Sequence, residues 1–217
     1  MVRRALDEGL KEIKDDVIKI AGMACEAISL AVKSLKERDL ELAAEVDKLE
    51  EESDLLNLKI DDNCFKITAL QQPVAKDLRF IATMIKISDN YERICDLAQK
   101  IADIARKYEE KPLLKPLIDI PRMAEMTQKM IRINNEAIIT WDAREIKGHQ
   151  EKDDHIDALY DQVYRELLTF MMKDPRTIDD ATDLLFAARY LERMGDIAAK
   201  TGSRIYYMIT GERIWIK

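Results

Sequence analysis

Glu92-Arg93-Ile94-Cys95-Asp96 recurs in this chain as Glu192-Arg193-Met194-Gly195-Asp196, a displacement of 100 positions. Upstream, Glu50 and Asp54 correspond to Asp153 and Asp157, a displacement of 103. Matches at two separate places, differing by one small insertion or deletion, are the mark of a duplicated unit. The repeated segments are helical in pattern. Leu78, Ile81, Ile85 and Ser88 lead into the first at helical spacing, and Ala181, Leu185, Ala188, Ala199 and Ser203 surround the second. The fold class that follows is all-α, built from two tandem, pseudo-repeated three-helix bundles with six long helices in all.

Working outward, the first helix runs from about Leu6 to Glu37, with Leu10, Ile13, Val17, Ile20, Ala24, Ala27 and Ala31 at intervals of three and four. Asp39 is an N-cap candidate for a second helix reaching about Ala69. Pro73 suits the first turn of a third helix ending near Tyr108, because the missing N–H is not needed there. Pro112, Pro116 and Pro121 then interrupt regular helix and mark the join. The spacing predicts one unit over residues 1–110, a linker over 111–116 and a second unit over 117–217. In the second unit helices are expected from about Pro121 to Ile146, Gly148 to Met172 and Thr177 to Thr210, with Pro175 in the part of Pro73.

Composition agrees with this reading. Only 6 Gly and 5 Pro occur among 217 residues, too few for the many tight turns of sandwiches and barrels. An apolar fraction of 47% excludes a disordered chain, and 35% charged residues with no long apolar run exclude a membrane-spanning one. Met1 to Glu8 turns acidic too early for a secretory signal, so a cytoplasmic location is expected. Cys25, Cys64 and Cys95 are widely spaced and read as small buried hydrophobes in a reducing compartment. A net charge of −7 without a basic block argues against a nucleic-acid partner.

The acids carry the chemistry. Glu92 and Asp96, like Glu192 and Asp196, stand one helical turn apart on an otherwise apolar or small stripe, with Asp89 beside the first pair. Antiparallel packing of the second and third helices would bring Glu50 and Asp54 to Glu92 and Asp96, and Asp153 and Asp157 to Glu192 and Asp196. Like charges so placed need compensation by protonation, by a neighbouring Arg or Lys such as Arg93 and Arg193, or by a metal ion. Carboxylate oxygens favour hard or borderline cations. His149 and His155 lie near the second group in sequence and read as surface residues. The residues alone leave all three compensations open.

Longer segments add a resemblance. Residues Ala69-Leu70-Gln71-Gln72-Pro73-Val74-Ala75-Lys76-Asp77-Leu78-Arg79-Phe80, then Ile87-Ser88 and the segment from Glu92 to Asp96, resemble the PhoU family of phosphate-uptake regulators. So do Met171 to Ile178 followed by Ala188 to Asp196. The resemblance implies multinuclear metal clusters on E/D-x-x-x-D motifs, with iron, manganese, magnesium or zinc as candidate ions. It implies a regulator of phosphate import and of the phosphate-starvation response. The partners implied are the ATPase subunit of the phosphate ABC transporter and a membrane sensor histidine kinase, which would recruit the protein to the inner face of the membrane. A homodimer is expected. Two departures stand out: Cys95 where the family usually has Gly, and Asn90 where Asp is frequent. The alternative function is a di-metal carboxylate enzyme, an oxidase or hydrolase; it is disfavoured because no E-x-x-H pair occurs.

Overall fold

The computed structural model describes residues 2–216. Six helices follow one another: α1 (Val2–Glu37), α2 (Leu40–Gln71), α3 (Lys76–Arg106), α4 (Asp119–Thr140), α5 (His149–Lys173) and α6 (Ile178–Thr210). Short 3-10 turns at Arg144–Gly148 and Pro175–Thr177 precede α5 and α6, and no strand occurs among the described residues.

Local chemistry sets most boundaries. Asp39 caps α2 as expected: its Oδ1 accepts from the backbone N–H of Glu41 at 2.9 Å and of Leu42 at 3.3 Å. The prolines need correction. Gln72 closes α2 in the left-handed conformation (φ 47°), and Ala75, also at positive φ, precedes α3. Pro73 therefore lies buried inside this bend and not in the first turn of α3. Pro175 does open a 3-10 turn, held by Asp174, whose carboxylate accepts from the Arg176 N–H at 3.1 Å. The two prolines are not equivalent. Helix α4 starts at Asp119 and takes Pro121 into its first turn, where a missing N–H costs nothing. It ends at Thr140, six residues earlier than the periodicity suggests, because Trp141 turns to φ 60° and Asp142 accepts from the Arg144 N–H at 3.0 Å.

Helices α1, α2 and α3 pack on one another, and α4, α5 and α6 do the same. The halves also meet, α3 against α6 and α1 against α4. One apolar core runs across the join, with Val17 and Ile20 of α1, Tyr91 and Ile94 of α3, Met130 of α4 and Leu191 and Met194 of α6 all at 0% exposure. Ala21, Ala24, Ala27 and Ala31 are buried along α1, where small side chains permit close helix approach. Polar bonds cross the same join: Gln128 Nε2 donates to Cys25 O at 3.1 Å, and Asn90 Nδ2 to Thr201 Oγ1 at 2.8 Å. The unusual Asn90 thus ties α3 to α6. Cys64 and Cys95 are free and buried, and Cys25 is half-buried. Among the described residues no helix is long and apolar enough to cross a membrane.

Candidate metal centres

The seam between α2 and α3 gathers Glu50, Asp54, Glu92 and Asp96. Burial and then the charges of Asp54 and Asp96 push the Glu92 carboxyl up to about 7. Glu50 is raised in the same sense, by burial and then by Asp54 and Asp96. The four acids therefore feel one another across the two helices, as antiparallel packing requires. Asp96 is paired with Lys100 one turn on.

Asp89 stands apart from this group. It faces Asn57 Nδ2 at 3.5 Å and Lys86 at 3.9 Å, and its charge falls on Asp61 of α2. Asp61 has a buried Oδ1 without a hydrogen-bond partner, and burial raises its protonation point. Sequence reasoning missed it, although Asp61 lies seven residues beyond Asp54 and Asp89 seven before Asp96, so both continue the same helical seam.

The α5–α6 seam repeats the arrangement with different compensation. Asp153, 3% exposed, is pushed up to about 7 by burial and then by the charges of Asp196 and Asp157. Asp157 is raised by burial and Asp196. Asp196 accepts from Lys200 Nζ at 2.8 Å, the counterpart of Asp96 and Lys100. Glu192 accepts from Arg189 Nη1 at 2.7 Å through Oε1, while its Oε2 is buried without a partner. Arg189 holds the position 100 residues after Asp89, so one seam carries a cation where the other carries an acid. The ion pair to Glu192 comes from Arg189, and among the described residues neither Arg93 nor Arg193 forms one.

The glycine-to-cysteine difference is compensated across the helices. A Cβ at Gly195 would lie 2.9 Å from Ile156 Cδ1 and 3.4 Å from Asp153 Oδ1. Ser53 occupies the place of Ile156 in the first half, at the same displacement of 103, and the smaller side chain leaves room for Cys95. Burial pushes the Cys95 thiol up to about 12, so it stands beside the acids as a neutral thiol and adds no further negative charge to them.

One histidine differs from expectation. His155 is exposed, whereas His149 is fully buried at the start of α5. Its Nε2 lies 2.9 Å from Asn134 Oδ1, and Asn134 Nδ2 donates to Ala198 O at 2.8 Å. Nε2 therefore carries the hydrogen. Burial, then Lys152, lowers its protonation point to about 4, so it packs as a neutral core residue.

The donor set of each seam, oxygen-only and short of counter-charge, fits a hard divalent cation. As the side chains stand, the acids turn to Lys100, Lys200 and Arg189, and no three His, Cys, Asp or Glu among the described residues are already grouped around a cation position.

Comparison with known proteins supplies the context. The PhoU domain family model matches the chain twice, over residues 17–105 and 120–205. A phosphate-specific transport system accessory protein PhoU homolog of Aquifex aeolicus is 40% identical over 94% of this chain and 92% of its own length. The crystal structure of PhoU from Pseudomonas aeruginosa superposes with a TM-score of 0.90, at 29% identity, over 95% of this chain and 99% of that one. That of the phosphate transport system regulatory protein PhoU from Streptococcus pneumoniae gives 0.87 at 25% identity, over 97% and 99%.

Proposed function

Since the chain belongs to the PhoU family and carries its domain twice, we propose that it restrains phosphate import and the phosphate-starvation response by contact with membrane-protein partners, without catalysing a reaction of its own. It is an accessory regulatory protein of phosphate transport. The partners in this reading are the transporter's ATPase subunit and the sensor histidine kinase, met at the cytoplasmic face of the membrane by a homodimer.

The observation that carries the metal part is the pair of acidic seams at equivalent places in the two halves, each with a carboxyl pushed up to about 7. Glu50, Asp54, Glu92 and Asp96 would hold one ion or cluster, and Asp153, Asp157, Glu192 and Asp196 the other. A bound divalent cation would supply the missing positive charge and clamp α2 to α3 and α5 to α6. The role is structural or sensory.

Two measurements test the proposal. Deleting the gene should derepress alkaline phosphatase in phosphate-rich medium, and unchanged repression would overturn the regulatory reading. Titrating purified protein with manganese, iron(II), magnesium or zinc should raise its melting temperature. A site filled at 100 times its dissociation constant contributes about 2.7 kcal/mol. Joint replacement of Glu92, Asp96, Glu192 and Asp196 by Gln and Asn should abolish the shift. No shift with any of these ions, and no metal retained on purification, would remove the metal part.

A further inference from the structure

Where the first turns of α3 meet the last turns of α6, Arg213, Ile214, Trp215 and Ile216 form a third wall around a cavity of about 770 Å³. Sites for small organic ligands span roughly 300–1,000 Å³. The charge of this cavity is one-sided: Arg79, Lys200, Arg204 and Arg213 line it, and no described carboxylate does. Lys200 is already held by Asp196. The three arginines have no carboxylate partner among the described residues. Two of them share one ring, with Arg79 Cζ 5.3 Å and Arg213 Cζ 5.4 Å from the Tyr207 centroid. In a chain of net charge −7, such a gathering of guanidinium groups is unfavourable until an anion lies among them. Guanidinium forks match phosphate oxygens two at a time.

The other half of the cavity is apolar. Leu78, Ile214 and Ile216 contribute to it, and Trp215 stands at its rim with 88% of its surface exposed. An uncovered indole beside unpaired arginines provides a stacking face for a planar ring joined to an anionic group. We propose that this cavity binds a nucleotide, with its phosphates on Arg79, Arg204 and Arg213 and its base against Trp215. This site is distinct from the acidic seams and does not depend on their holding metal.

The chain has two tryptophans, so Trp141→Phe leaves Trp215 as the reporter. ATP and GTP are titrated against this variant of the full chain with EDTA present, which removes metal-bridged binding. Quenching should saturate, with half-saturation below about 1 mM for at least one of the two. Arg204→Ala and Arg213→Ala are exposed changes that should leave helicity intact, checked by circular dichroism. Each should weaken binding about tenfold, the worth of a charge-assisted hydrogen bond. Trp215→Ala, followed by calorimetry, should weaken it by a similar factor through lost stacking. Adenosine should not saturate, and inorganic pyrophosphate should bind more weakly than ATP. Absence of saturable binding by both nucleotides would overturn the proposal, as would unchanged affinity in both arginine variants. Pyrophosphate binding as tightly as ATP, with no effect of Trp215→Ala, would mark a simple anion site and also overturn it.

Discussion

Asp153 shows how one side chain couples the seam to stability. Well below its unfolded value of 3.8 it is protonated in both folded and unfolded chains and has no effect on their balance. As pH rises toward 7 the unfolded chain ionises first, while burial and the charges of Asp196 and Asp157 keep the folded carboxyl protonated. Stability is thus lost as pH passes up through this range. Asp153→Asn removes the loss, so in chelator the variant should be more stable than the parent at pH 8 by about 1–2 kcal/mol, allowing for solvent screening, and by less at pH 5. His149 acts in the opposite sense, because its depressed protonation point makes stability fall as pH drops from about 6.5 through 4. It is present in both proteins and cancels in the comparison. Guanidinium unfolding at the two pH values checks this; a variant less stable than the parent at pH 8 would contradict the electrostatic account. With saturating metal the sign should reverse, since the variant lacks a ligand.

Among elements, the glycines of α1 and α6 separate helix propensity from helix contact. Gly22 lies exposed within α1, and a Cβ there would meet nothing within 4 Å. Gly22→Ala should therefore add up to about 1 kcal/mol by restricting the unfolded chain and improving helix propensity. Gly202 is buried in α6, where a Cβ would stand 2.6 Å from His149 Cδ2 and 2.9 Å from Asn134 Oδ1. That is backed by the ring and amide that fasten α4 and α5 to α6, and neither has room to withdraw. Gly202→Ala should cost about 1–3 kcal/mol despite the same gain in propensity. Thermal melts of the two variants should move in opposite directions, and equal shifts would show that the α4–α5–α6 contact is looser than described.

For the whole molecule, the continuity of the core outweighs the duplication in sequence. Tyr91 and Ile94 on α3 and Leu191 and Met194 on α6 belong to one buried cluster, and Asn90 bonds to Thr201 across it. On α3 and α6 the repeated acid pairs sit along the outer seams with α2 and α5, so the buried centre of the face between halves is mostly apolar, with Lys107–Asp183 and Lys111–Asp180 ion pairs joining the halves at one end. Either half alone would expose much of that face to water. We therefore expect calorimetry of the full chain to give one cooperative transition, with calorimetric and van't Hoff enthalpies equal. Two resolved transitions would mean that the interface contributes little.

The sequence alone was sufficient for the helical class, the repeat, the Asp39 cap and the acid pairs one turn apart on each helix, because all depend on residues close along one helix or on matched positions in two copies. Their spacing of three, four and seven fixes a common face whatever the surroundings. Tertiary packing decided the rest. It set Asp89 beside Asp61, turned Arg189 onto Glu192, and buried His149 against Asn134 instead of leaving it in solvent. It moved Pro73 from a helix start into a bend, and it brought Arg79, Arg204 and Arg213 together from separate parts of the chain. Those outcomes depend on which elements lie side by side and on how much water remains between them, and the strength of a charge or hydrogen bond is set there.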